Sequence, residues 1–138
     1  MDKALFVDTG FLIALAAPRD RLHAKATALA AEVQRYAVQL ITTRAILLEL
    51  GAALSDLPYR VTANRVLSAL ETDPAIDIQP IEPLYSSALE MFIKHVDKEW
   101  SLTDCLSFVA MRNRNIQSAL SADKHFEQAG FAALLRME

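Results

Sequence analysis

Ala4-Leu5-Phe6-Val7-Asp8-Thr9-Gly10 is the stretch on which the fold turns. Four apolar residues run without interruption and stop at an aspartate. A strand buried on both faces of a parallel sheet loses the usual polar/apolar alternation, because neither face meets water. The run is too short for a signal-peptide core or a membrane span, so neither export nor anchoring by this segment is expected.

Outward from this strand, residues 11–17 read as a short helix closed by Pro18. Leu22, Ala26, Leu29, Val33 and Tyr36 then recur at helical spacing. Residues 39–43 look like a second strand, and 45–54 form an apolar helix whose one charge is Glu49. Leu57-Pro58-Tyr59 reads as a break, after which Ala63, Val66, Leu67 and Leu70 mark another helix. Residues 75–81 alternate Ile76 and Ile78 with Asp77 and Gln79 and carry Pro80, the pattern of a half-exposed edge strand. Tyr85, Ala88, Leu89, Phe92, Ile93 and Val96 make the cleanest helical stripe, and a further helix spans 102–112. Residues 116–121 read as a strand, a short helix opens after Asp123, and 133–135 carry a weak last strand. Strands alternating with helices predict parallel pairing through right-handed crossovers, with helices on both faces. The expected fold is a three-layer α/β/α sandwich around a central, mostly parallel sheet, built as one domain.

Composition bounds the function. With 138 residues, 53% of them hydrophobic and 22% charged, the chain is neither disordered nor long enough for two cores. Fourteen Lys and Arg against seventeen Asp and Glu leave a net charge of −3, which excludes coating of nucleic acid by bulk positive charge. The charges are segregated, however: residues 19–65 hold seven basic and four acidic groups, and 66–138 hold six and eleven. Arg19, Arg21, Arg44, Arg60 and Arg65 are therefore the candidates for contacts to phosphate. Three glycines exclude a glycine-rich phosphate loop. One cysteine, Cys105, excludes an internal disulfide and a Cys-rich zinc site and suits a reducing cytoplasm.

Four carboxylates stand out. Asp8 and Asp123 follow strands, Asp104 sits in Ser101-Leu102-Thr103-Asp104 at a helix start, and Glu49 lies within an apolar helix. Each has a structural explanation. Asp8 and Asp123 could cap helices, Ser101 and Asp104 match a capping box, and Glu49 could reach solvent from the helix flank. Those explanations do not predict where the four lie together. In an open α/β sheet the carboxyl edge of the strands is the ligand-binding edge, and all four could stand there. Carboxylates that converge repel one another unless a cation is bound, and hard oxygen ligands favour Mg²⁺ or Mn²⁺ over zinc.

Val7-Asp8-Thr9-Gly10, Leu48-Glu49-Leu50, Ser101-Leu102-Thr103-Asp104 and Ser121-Ala122-Asp123-Lys124-His125-Phe126 resemble, in order and spacing, the successive motifs of PIN-domain nucleases. Among these the sequence is most similar to VapC-type toxins of bacterial toxin–antitoxin pairs. The resemblance implies that Asp8, Glu49, Asp104 and Asp123 are an acidic metal-binding and catalytic quartet, with Thr9 and Thr103 helping to hold it. Gly10 stands where the family often has Ser. The resemblance further implies Mg²⁺- or Mn²⁺-dependent cleavage of RNA, homodimerisation, and inhibition by a cognate antitoxin protein that covers the acidic groove.

Other residues invite plainer explanations. His23, His95 and His125 lack ligand spacing and are expected to pack, His125 being set apart by standing two residues from Asp123. Cys105 is expected to be a buried thiol, and Trp100 a packing residue ahead of the Ser101 cap. Two other functions compete. A phosphatase with Asp8 as nucleophile generally wants a second aspartate two residues on, where this chain has Gly10. A binding module on the same fold would hold RNA or a protein without cutting.

Overall fold

A computed structural model describes residues 2–137. Five strands, β1 (Ala4–Val7), β2 (Gln39–Thr43), β3 (Ile76–Gln79), β4 (Ser118–Leu120) and β5 (Ala132–Ala133), lie in the order β3-β2-β1-β4-β5. Every pairing is parallel, so the sheet expected to be mostly parallel is wholly so. The helices are α1 (Thr9–Ala16), α2 (His23–Arg35), α3 (Arg44–Ala53), α4 (Leu57–Thr72), α5 (Glu82–Lys94), α6 (Leu102–Asn113) and α7 (Lys124–Gln128). From β1 the chain steps to β2 and β3 on one side, then returns past β1 to β4 and β5. Right-handed crossovers consequently put α1 to α4 on one face and α5 to α7 on the other. The strand order reverses between β1 and β4, and that is where a crevice opens at the carboxyl ends of the strands.

The core sits on both faces of β1. Leu5, Phe6 and Val7 are buried, as the uninterrupted apolar run requires. Helix α6 lies deepest, with residues 105–111 all buried, so only its two ends approach solvent: the half-buried first turn at Leu102 to Asp104 and the exposed Arg112 and Asn113. Phe108 joins this helix to its neighbours through edge-on contacts with Trp100 and Phe126, at centroid distances of 5.1 Å each. Phe126 also lies 6.1 Å from Phe6, so one fully buried aromatic pins α7 to both the sheet and α6. Burying such a ring contributes on the order of 1.5–3 kcal/mol. Gly130, at φ 96°, then turns the chain from α7 into β5.

Several sequence expectations shift. Leu57-Pro58-Tyr59 is not a break but the first turn of α4, where Pro58 loses no intrahelical bond because that N–H is unpaired in any helix. The α5 stripe is out of phase: Leu84, Ala88 and Met91 are buried, while Tyr85, Phe92 and Ile93 are exposed and Val96 lies beyond the helix at 89% exposure. The strand expected at 116–121 contracts to Ser118–Leu120, and the last strand moves to Ala132–Ala133, followed by a 3-10 turn at Leu134–Arg136. The edge position of β3 is as expected, with Pro80 just outside it. Among the described residues no helix is long and apolar enough to cross a membrane.

Candidate active site

Parallel register places the first acid. Val7 pairs with Leu120, and the Asp8 amide still donates to the Leu120 carbonyl at 3.3 Å, so the residues following β1 and β4 emerge side by side. Ser121 Oγ donates to Asp8 Oδ2 at 2.7 Å and accepts from the Asp123 amide at 3.0 Å. Asp8 stands at the N-cap position of α1, but its side chain makes no cap bond. Its carboxylate faces the crevice instead. Burial pushes the Asp8 carboxyl up to about 6; the Ser121 hydroxyl and the Thr9 amide oppose the rise, and the charges of Glu49 and Asp104 add to it.

Glu49 arrives from α3, which Thr43 starts at the edge of β2 by accepting from the Ile46 amide. The Glu49 side chain is exposed, as solvent access from the helix flank would have it, but it is held by a hydrogen bond from Thr9 Oγ1. Asp104 completes the expected capping box: Ser101 Oγ accepts from the Asp104 amide at 2.9 Å, and Asp104 Oδ2 accepts from the Ser101 amide at 3.0 Å. Asp123 caps α7 by accepting from the His125 amide at 2.9 Å. Capping and gathering are compatible, since each cap occupies one carboxylate oxygen.

All four acids line one cleft of about 500 Å³, together with Thr9, Gly10, Glu99, Ser101, Ala122 and His125. No Lys or Arg stands among these lining residues. Thr103 is not among them either; its carbonyl accepts from Ser107 Oγ at 3.1 Å, so its position serves α6 more directly than the cleft. A larger apolar groove of about 890 Å³ lies elsewhere, between α1, α2 and α4, and contains none of the four acids.

Sequence reasoning missed three contributors. Glu99 brings a fifth carboxylate to the wall from the loop before α6. Ser121 acts across 113 positions of sequence. His125 does not pack as expected: its Nδ1 lies 2.9 Å from Asp104 Oδ2 and 3.3 Å from Asp123 Oδ1, and these three groups can present ligand atoms within 4.8 Å of one another. Its place two residues after Asp123 was the one available signal. The other histidines do pack, His23 with Nδ1 at 2.8 Å from the Ala14 carbonyl and His95 stacked on Trp100. Cys105 is fully buried, and burial with the Asp104 charge pushes its thiol up to about 11.

A parallel sheet with acids gathered where its strand order reverses defines a class of α/β proteins that bind their ligand at the carboxyl edge. The model of the PIN domain matches residues 5–132, and the chain belongs to the PIN-domain family. It is 30% identical over 128 residues to the 23S rRNA-specific endonuclease VapC20 of two Mycobacterium tuberculosis strains, covering 92% of this chain and 95% of that protein. The crystal structure of M. tuberculosis VapC20, described as a Sarcin-Ricin loop cleaving toxin, superposes with a TM-score of 0.83 at 28% identity. The match covers 93% of this chain and 96% of that one.

Proposed function

We propose that the chain acts as one PIN nuclease domain, a divalent-cation-dependent endoribonuclease of VapC type, with Asp8, Glu49, Asp104 and Asp123 as its metal-binding and catalytic acids. The observation that carries this reading is the cleft at the β1/β4 reversal, where those four carboxylates and Glu99 meet without a Lys or Arg among the lining residues. The donor set fits a hard cation: it is rich in carboxylate oxygen and has no thiolate, since Cys105 is buried away from the wall. Mg²⁺ or Mn²⁺ is the ion this chemistry favours. A bound ion of this kind polarises a phosphoryl oxygen and makes water a nucleophile at neutral pH.

The protein's own residues prepare that site. Thr9 holds Glu49, Ser121 holds Asp8, and the Ser101 amide fixes Asp104, so each carboxylate is turned before substrate arrives. Preset geometry of this kind lowers the reorganisation needed on binding. In this reading the substrate is RNA, the setting is the cytoplasm, and the partners are a cognate antitoxin and a second copy of the chain. Exposed Phe92, Ile93 and Val96 at the end of α5 supply apolar surface for such contacts. A phosphatase using Asp8 is disfavoured because Gly10, on the cleft wall, offers no second carboxylate.

The test is single-turnover cleavage of a 23S rRNA fragment containing the loop cut by the M. tuberculosis relative, with Mn²⁺ and with chelator. Cleavage by the wild type with Mn²⁺, abolished by chelator and by Asp104→Asn, is expected. Equal RNA loss with both proteins would expose a contaminating nuclease, and no loss with either would favour a module that binds without cutting.

A further inference from the structure

Asp104 lies in the first turn of α6 and Asp123 at the N-cap of α7, and one carboxylate oxygen of each is already committed to a backbone cap. Asp104 Oδ2 accepts from the Ser101 amide and Asp123 Oδ1 from the His125 amide. The His125 ring stands at the junction of these two oxygens, with Nδ1 at 2.9 Å from the first and 3.3 Å from the second. Both neighbours are acceptors, so the tautomer that satisfies the site carries its proton on Nδ1 and donates to Asp104. The ring is well enclosed, with 18% side-chain exposure against 15% for Asp104. Phe126, the next residue, is wholly buried against Phe6 and Phe108, which fixes the backbone from which the ring projects.

We propose that His125 is a positioning residue for the metal centre. Its Nδ1–H ties Asp104 to the start of α7 and so sets the separation of two carboxylates that would otherwise repel each other. Among the described residues no hydrogen bond reaches Asp104 Oδ1 or Asp123 Oδ2, and these are the atoms the tie leaves to the cation. Carboxylates that ligate metals are in general held by outer-shell hydrogen bonds, as the His125 ring would hold Asp104. The proposal rests on the metal-dependent reading of the cleft.

The three informative variants differ in where a donor remains. His125→Asn keeps an N–H near the place of Nδ1, His125→Gln moves it to the place of Nε2, and His125→Ala removes it. Mn²⁺ affinity is read by calorimetry on the metal-stripped full chain, with urea unfolding of each variant beside it. His125→Ala and His125→Gln should bind Mn²⁺ about 10–100-fold more weakly, while His125→Asn stays within about threefold of wild type. RNA cleavage should recover in the weak variants as Mn²⁺ is raised, and bound Mn²⁺ should show no directly coordinated nitrogen in its electron-spin-echo spectrum. If His125→Ala does not fold, the contrast between Asn and Gln still decides. Unchanged affinity in Ala or Gln, restoration by Gln but not Asn, or a coordinated nitrogen would overturn the positioning role. A wild type that takes up no Mn²⁺ would overturn the metal reading itself, and this proposal with it.

Discussion

Ser121 Oγ donates to Asp8 Oδ2 at 2.7 Å, joining the ends of two neighbouring parallel strands across 113 positions of sequence. The same hydroxyl accepts from the Asp123 amide, so one small side chain orients two of the four acids. Ser121→Ala removes a bond that lowers the Asp8 pKa. A hydrogen bond to a charged group is worth about 1.5–3 kcal/mol, so the Asp8 pKa should climb by roughly 1–2 units. Carboxyl NMR titration of metal-free protein reads this directly, and Mn²⁺ affinity near pH 6.5 should fall. An Asp8 titration midpoint no higher than in the wild type would count against it.

Asp8 also makes stability depend on pH, with a sign set by its raised pKa. Its folded value of about 6 exceeds the ordinary 3.8, so its contribution is fully present below 3.8 and is lost as pH rises through 6. The difference corresponds to about 3 kcal/mol at 1.36 kcal/mol per unit. Without metal, Asp8→Asn should therefore gain on wild type by up to about 3 kcal/mol between pH 4 and pH 8. Saturating Mn²⁺ should reverse the order, because the ion stabilises only the protein that binds it. Urea midpoints at the two pH values, with and without Mn²⁺, check both halves; a variant destabilised at pH 8 without metal would reveal an ionic partner of Asp8.

Asp104→Asn separates capping from chemistry. The Asp104 side chain closes a capping box, and an amide oxygen can still accept from the Ser101 amide. Stability should change by less than about 1 kcal/mol, since Ser101 remains the N-cap and either an acid or an amide at the third helical position can close a capping box. RNA cleavage should nevertheless fall at least about 100-fold, because a neutral amide would replace the charged oxygen that the proposed site offers to a cation. Parallel urea melts and single-turnover rates decide, and equal losses in both would make Asp104 structural alone.

How far this was legible in the sequence depends on how local the cause is. The apolar run ending at Asp8 announced a buried parallel strand, and Ser101 to Asp104 announced a capping box, because both signals lie within a few residues. The α5 stripe misled because Phe92 and Ile93 are apolar but exposed, while small Ala88 shares the buried face with Leu84 and Met91. Periodicity marks apolar residues and not which of them meet the core. The four acids were findable by type and position, whereas their holders were not. Ser121 acts through strand register, and His125 reaches an aspartate 21 residues away through the turn into α7. Neither relationship leaves a spacing that a sequence can show.

Cys105 lies one residue from Asp104 yet should take no part in the reaction. It is fully buried, and its thiol is pushed up to about 11 first by burial and then by the Asp104 charge. Native protein at pH 8 should resist iodoacetamide and react completely once unfolded in urea. Cys105→Ala should cost roughly 1–2 kcal/mol through the cavity it leaves and should spare cleavage. Mass spectrometry of the alkylated protein gives the answer, and rapid modification of the native chain would mean that α6 opens.

The basic residues of the first half are not equivalent once folded. Arg44 pairs with Glu71, Arg60 donates to the Ser55 carbonyl, and Arg65 lines the apolar groove. Arg19 and Arg21 are exposed, and no ion pair to either is present among the described residues. They follow α1, whose eight residues lead away from the cleft over about 12 Å at 1.5 Å per residue. A strand of RNA seated on the acids can reach them, and each phosphate they neutralise releases counterions at about 0.7 per contact. Arg19→Gln with Arg21→Gln should flatten the slope of log affinity against log salt by roughly 1–1.5, while Arg44→Gln with Arg60→Gln should change it less. Binding is measured with Asp104→Asn as background so that the RNA survives. A slope unchanged by the Arg19 and Arg21 pair would place the phosphate path on another side of the cleft.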